Sequence, residues 1–171
     1  EGLVFFTMFL TGKQCQEVML NPITQSKSPS DFWGRRWNLL VHGILKRGVY
    51  IPMRIHGFSK TLAVLGVFLA SGLFHEWLIK VVYFSLESDI GNNDIPFGGS
   101  TAFMLYMAML LLLEQGNRGF FDSLAKQYPL WMVSLFVFAM GIPPAHWFME
   151  PFITNNFFHQ GGIGLPMIRK I

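Results

Sequence analysis

Apolar residues in this chain gather into long unbroken runs and rarely alternate with polar ones. The clearest run is 61–84, where TLAVLGVFLASGLF carries no charge and continues into HEWLIKVVYF. About 20 mostly apolar residues cross a hydrocarbon core, so this run predicts a membrane helix. A second span is predicted at 129–148, PLWMVSLFVFAMGIPPAHWF, whose Pro143-Pro144 pair should kink or end it. A third covers 97–113, with the run AFMLYMAMLLLL, and is short once Gly98 and Gly99 are discounted. Residues 2–11 look like the end of a fourth.

The segment 28–50, SPSDFWGRRWNLLVHGILKRGVY, has a different pattern. It reads as one helix, with Ser28 or Ser30 as cap, Pro29 and Asp31 in the first turn and Gly48 at the end. On a helical wheel Trp33, Trp37, Leu40, Val41, Ile44 and Leu45 share one face, with Arg35, His42 and Lys46 opposite. Such a helix lies in the membrane interface, Trp at headgroup depth and its basic side toward water. Asn38 falls at the edge of the apolar face, a position that by itself needs no purpose. The expected fold class is therefore all-α: a polytopic membrane helical bundle with one interfacial amphipathic helix.

Composition strengthens the membrane reading. The chain is 51% hydrophobic and 13% charged, against about 25% charged in soluble domains. A soluble fold of 171 residues could not readily cover that much apolar surface. The single Cys15 excludes an internal disulfide framework and the spaced thiols of a structural zinc site. The chain begins at Glu1 with an apolar run that lacks a basic leader and a small-residue cleavage site, so it does not read as a signal peptide. The expectation is the C-terminal part of a larger membrane protein.

Charge adds orientation. Eight of the 13 Lys and Arg residues lie within 13–60: Lys13, Lys27, Arg35, Arg36, Lys46, Arg47, Arg54 and Lys60. The loop after the first full span carries Glu87, Asp89 and Asp94 without a basic residue, and the next connection carries Arg118 and Lys126. The positive-inside rule puts 13–60 and 114–128 in the cytosol and the acidic loop and the tail after Pro151 on the other side. The isoelectric point near 9.2 does not point to nucleic acid, because the cations sit beside membrane spans, where anionic headgroups or an anionic cytosolic substrate are better partners.

Two ionisable residues, His75 and Glu76, fall mid-span, where each costs a few kcal/mol by insertion scales. Glu76 and Lys80 are spaced to pair on one face. His75 points about 100° away, on a face with Ser71, Gly72, Ile79 and Val82. A neutral imidazole beside small residues has room for a substrate and an unperturbed pKa suited to base catalysis; the alternative is a buried His that hydrogen-bonds a neighbouring helix. HEWLI lacks the second His of a zinc-protease helix, and no metal site is expected. No Ser sits in a nucleophile elbow. Gly161, Gly162 and Gly164 do not follow a strand and open a helix, so they argue little for phosphate binding. His146 either lines a cavity or caps a broken helix, and capping is the simpler role.

The two motifs together resemble the membrane-bound O-acyltransferase superfamily, closest to its wax synthase branch. That branch carries S-x-x-D-F-W-G-R-R-W-N, here at 28–38, a basic segment ending in V-Y-x-P, here Val49-Tyr50-Ile51-Pro52, and S-G-x-x-H-E, here 71–76. The resemblance covers about 28–77 and implies one partial membrane domain over 1–171, with its core at 28–80. It implies a helical bundle around a tunnel that acyl-CoA enters from the cytosol and a lipid alcohol enters from the bilayer, at the endoplasmic reticulum. Such enzymes have more spans than this chain, so the tunnel would be incomplete here. It implies that His75 is the base and Asn38 its polar partner, with Glu76 a third site residue. Arg35, Arg36, Lys46 and Arg47 stand where the CoA phosphates need cations, and Trp37 belongs to the same expected binding set. Acyl-CoA is implied as co-substrate with no bound cofactor, and homo-oligomerisation is left open. The leading function is an acyl-CoA-dependent O-acyltransferase making wax esters. The rivals are the same chemistry on diacylglycerol or a sterol, and a non-enzymatic transporter or pore subunit, whose support is the kinked 143–144 span and the Glu76/Lys80 pair.

Overall fold

The computed structural model of the chain describes residues 18–86 and 97–154. The runs at 2–11 and 161–164, the acidic loop and Cys15 lie outside the described residues. Those described form helices and turns: α1 (Pro22–Gln25), α2 (Pro29–Asp31) continued by a π-helical turn Phe32–Arg36, α3 (Leu39–Leu45), a second π-helical turn Lys46–Tyr50, α4 (Ile51–Ile55), α5 (Lys60–Leu86), α6 (Gly99–Gly116), α7 (Arg118–Gln127), α8 (Leu130–Ala139) and α9 (Ala145–Thr154).

Helix α5 realises the clearest span. Its 27 residues reach about 40 Å at 1.5 Å per residue, and it is the one described helix long and apolar enough to cross a membrane. Its outer side exposes Leu62, Leu69, Leu73, Phe74 and Trp77, a surface suited to lipid. Its inner side packs along α6, where Phe68, Met104, Met107, Ala108 and Leu110 form the main core. Of the 97–113 run, the residues from Gly99 on form α6, which continues to Gly116; it is not long and apolar enough to count as the expected span.

Residues 129–148 do not form one span. Helix α8 stops at Ala139 and α9 starts at Ala145, each 10 residues long. Helix α8 therefore reaches about 15 Å, half the roughly 30 Å core, and so does the described part of α9. The helix ends before the prolines, because Pro143-Pro144 cannot donate to the turn ahead of them. Tyr106 Oη donates to the freed carbonyl of Met140 (3.2 Å), and the Nδ1–H of exposed His146 donates to Pro143 O (2.9 Å).

The stretch 28–50 is likewise not one helix. Ser28 caps α2 as its position suggests, its Oγ accepting from Asp31 N (3.3 Å). The helix then breaks, with Trp37 extended and Asn38 left-handed at φ 40. Backbone partners from upstream favour the break: Leu20 N donates to Arg36 O (3.0 Å) and Leu39 N to Val18 O (2.8 Å). Asn38 therefore does not ride the edge of a continuous helix; it starts a new one. Nor does Gly48 end that helix. Pro52 would crowd the carbonyl four residues back, and the π-helical turn before it, closed by Ile51 N–H on Lys46 O, carries the chain through to Ile55.

A buried serine pair docks α1 on α8. Ser26 N donates to Ser134 Oγ (2.9 Å), and both hydroxyls donate to Pro22 O, Ser26 at 2.5 Å and Ser134 at 3.1 Å. Ser134→Ala leaves the buried Ser26 N–H without its acceptor. It should cost about 1–3 kcal/mol, read as a lower melting temperature in detergent, while Ser123→Ala, exposed on α7, should stay within about 0.5 kcal/mol.

Candidate functional site

The DFWGRRW stretch folds into an aromatic block. Phe32 stacks on Trp37 (centroids 5.5 Å), and Trp33 stands edge-on to both, at 5.2 Å from Phe32 and 6.1 Å from Trp37. Trp33 also meets Phe68 of α5 edge-on at 6.0 Å, while Phe32 packs with Phe121 and Val137. The block thus ties the motif to α5, α7 and α8.

Two carboxylates brace it. Asp31 Oδ2 accepts from Arg36 Nε (2.8 Å) and from Lys27 N (3.1 Å). Arg36 also donates to Leu20 O (3.0 Å) and Gln25 Oε1 (3.1 Å), so its guanidinium is committed to holding 18–25 against the motif. From the far end of α6, buried Glu114 accepts from Ser30 N (2.6 Å) and Ser30 Oγ (2.5 Å). Sequence patterns offered Glu114 only as the first acid after a run of four leucines. A cleft of about 300 Å³ beside it, lined by Leu110, Leu113, Asn117, Phe120, Phe121 and Met140, includes none of the expected site residues.

Asn38 caps α3: its Oδ1 accepts from Val41 N at 3.2 Å. Arg35, Lys46 and Arg47 are exposed, and Trp37 is half-buried against Phe32. His42, one turn into α3, has its imidazole pushed below the ordinary range, first by burial and then by the charge of Lys46.

His75 lies mid-α5 on the face of Phe68, seven residues and two turns away. Its ring stands edge-on to Phe148 of α9 at 5.1 Å, and Phe148 packs against Phe103 of α6 (5.4 Å). Among the described residues no hydrogen bond engages its ring nitrogens. Glu76 and Lys80 take different partners, contrary to the expected pair. Glu76, 4% exposed, accepts from Thr101 N at the start of α6 (3.1 Å), and Lys80 Nζ sits 5.0 Å from the Phe97 ring centroid. The approach of α6 draws the carboxylate inward while Lys80 stays exposed. Among the described residues Asn38 and His75 share no hydrogen bond, and the Trp33–Phe68 ring contact links the motif to the helix that bears His75.

This geometry combines an aromatic motif, a left-handed Asn at a helix start and a His-Glu pair within an apolar helix. Residues 16–90 match the profile of the membrane bound O-acyl transferase family. Over that segment the chain is similar to the family. It is 41% identical to probable long-chain-alcohol O-fatty-acyltransferase 9 of Arabidopsis thaliana over 80 residues, 43% of this chain and 22% of that protein. It is 30% identical to probable long-chain-alcohol O-fatty-acyltransferase 3 of the same plant over 169 residues, 91% of this chain and 44% of the relative. Over 56 residues, 33% of this chain and 11% of the relative, it is 48% identical to human diacylglycerol O-acyltransferase 1. The chain thus spans less than half the length of these family members. No solved structure matches it.

Two outcomes follow for the motif region. Asn38→Ala loses the cap, about 1 kcal/mol, and must hold a left-handed backbone at roughly 1–2 kcal/mol more; Asn38→Gly should cost only a few tenths. Melting of both variants in detergent checks the order, and equal values would remove the backbone constraint. For His42 the folded pKa lies below the unfolded one, so its contribution is intact above about pH 6.5 and is lost as pH falls through the folded value. Amide protection factors in α3 should therefore drop on acidification, and His42→Gln should abolish that drop.

Proposed function

We propose that the protein acts as an acyl-CoA-dependent O-acyltransferase that esterifies a long-chain fatty alcohol to a wax ester. The observation that carries this reading is His75: a half-buried imidazole in an apolar helix, beside a buried carboxylate, with its ring nitrogens unengaged among the described residues. In this reading His75 takes the proton from the acceptor hydroxyl as its oxygen attacks the thioester carbonyl. The C–S bond then breaks, and the proton passes to the departing CoA thiolate. Asn38, whose Oδ1 is spent on its cap, keeps an amide N–H as the polar partner at the developing oxyanion. Glu76 fixes α6 beside His75. Arg35, Lys46 and Arg47 supply exposed charge for the CoA phosphates, and Arg36 and Trp37 keep that surface in shape.

The match of 16–90 to the family profile and the names of the Arabidopsis relatives support the reaction class. We place the protein in the endoplasmic reticulum membrane, as one partial polytopic bundle over 1–171 with its core at 28–80 and the 13–60 segment cytosolic. A second reading, with diacylglycerol or a sterol as acceptor, is favoured by the 48% identity to human diacylglycerol O-acyltransferase 1 and the 44% identity over 66 residues to acyl-CoA–sterol O-acyltransferase 1 of Arabidopsis thaliana.

The test is ester formation in microsomes holding the full-length protein, from labelled acyl-CoA and fatty alcohol. His75→Ala at equal protein level should lower the rate by about 10²–10⁴-fold. An unchanged rate would withdraw the mechanism, and triacylglycerol or sterol ester without wax ester would replace the acceptor.

A further inference from the structure

The first turn of α6 meets α5 at unusually close range. A Cβ on Gly72 would lie 2.6 Å from Thr101 Cα and 3.1 Å from Thr101 Oγ1, and a Cβ on Gly99 would collide with the Trp147 carbonyl. These two glycines let α5, α6 and α9 converge on the level of His75 and Phe148. Gly98, at φ 108, opens α6 and has no side chain to cap it. The Glu76 carboxylate takes that place on Thr101 N–H, at the positive end of the helix dipole.

Two hydroxyls in this turn are unexplained by the fold. Ser100, 1% exposed, has a buried Oγ with no hydrogen-bond partner among the described residues, and so has Thr101 Oγ1. Buried polar groups are nearly always paired, and alanine and valine would fill the same space without the cost. Ser100 shares its helix face with Met104, Met107 and Ala108, the face that packs toward Phe68. Thr101 Oγ1 lies over Gly72, one turn before His75 and Glu76.

We propose that Ser100, Thr101 and Glu76 form a cradle for the hydroxyl of a lipid alcohol and present it to His75; this rests on the acyltransferase reading above. The charge balance selects the ligand. The Glu76 carboxylate repels a phosphate or carboxylate, and the α6 dipole and Thr101 N–H offset its pull on a cation. A neutral group that both donates and accepts fits what remains, because it donates to Glu76 and accepts from a serine or threonine hydroxyl. The apolar wall of Phe103, Met104 and Phe148 suits the alkyl chain behind it. A water has the same hydrogen-bonding chemistry without that chain.

The experiment compares Ser100→Ala, Thr101→Val, their combination and Thr101→Ser in the full-length protein in microsomes, at matched abundance and melting temperature. The double variant should raise KM for fatty alcohol by about tenfold with KM for acyl-CoA unchanged, and Thr101→Ser should recover most of what Thr101→Val loses. A photoreactive long-chain alcohol, applied without acyl-CoA, should label the 97–104 peptide of the wild type and lose that labelling in the double variant. An unchanged alcohol KM, a parallel rise in both KM values, or labelling indifferent to the two hydroxyls would assign them to a water and overturn the cradle. The labelling needs no turnover. If the wild type forms no ester yet is labelled at 97–104, the acyltransferase reading fails and the alcohol site stands. If it forms ester without such labelling, the acyltransferase reading stands and the alcohol site fails.

Discussion

The hydrogen bond from Thr101 N–H to the Glu76 carboxylate is the contact on which the His75 region depends. A carboxylate inside an apolar helix is tolerable only where charge or dipoles compensate it. The start of α6 provides both an N–H and the positive end of a helix dipole. In return the carboxylate caps a helix that begins with glycines and has no capping side chain of its own. The bond draws α6 against Gly72, and the same closeness lets Phe148, packed on Phe103, reach the His75 ring. Glu76 thus has a structural part beside any chemical one: it sets which helix the imidazole faces.

The motif around Asn38 is held by a second, separate set of charges. Asp31 and Arg36 pin the upstream segment 18–25 to it, and Glu114 grips Ser30 from the opposite end of α6. Between them the three aromatic rings fill the space to Phe68, Phe121 and Val137. Helix α6 therefore touches both regions, Glu76 at its first turn and Ser30 at its last. It is the rod that fixes the distance between the His-bearing helix and the Asn-bearing turn. The exposed cations Arg35, Lys46 and Arg47 are left out of this bracing, which keeps their charge available to an anionic ligand.

The interrupted pair α8 and α9 fits the same picture. Helix α8 is too short to cross a bilayer, and its junction with α9 exposes backbone groups that lipid cannot satisfy. Tyr106 on α6 takes the Met140 carbonyl, and His146 takes that of Pro143. A broken helix of this kind is tolerated where it is buried in protein or lines a cavity, and Phe148 of α9 points back at His75.

Much of this was legible in residues 61–84 and 97–113, because long apolar runs and their lengths are local properties that predict helices whatever surrounds them. The Ser28 cap was legible for the same reason, as were the motif residues that carry the family likeness. The chain alone did not reveal where 28–50 breaks. Helical periodicity treats Trp37 and Asn38 as two more positions on a wheel, whereas the break depends on Val18, Leu20 and Asp31 offering better partners than the helix does. It also misjudged Glu76, for which Lys80 was the obvious neighbour by spacing; the carboxylate prefers an N–H from a helix that lies 25 residues further along the chain. Local propensity and hydropathy belong to the sequence, while the partner of a buried polar group is settled only when distant segments pack, because burial makes an unsatisfied group costly enough to override the local pattern.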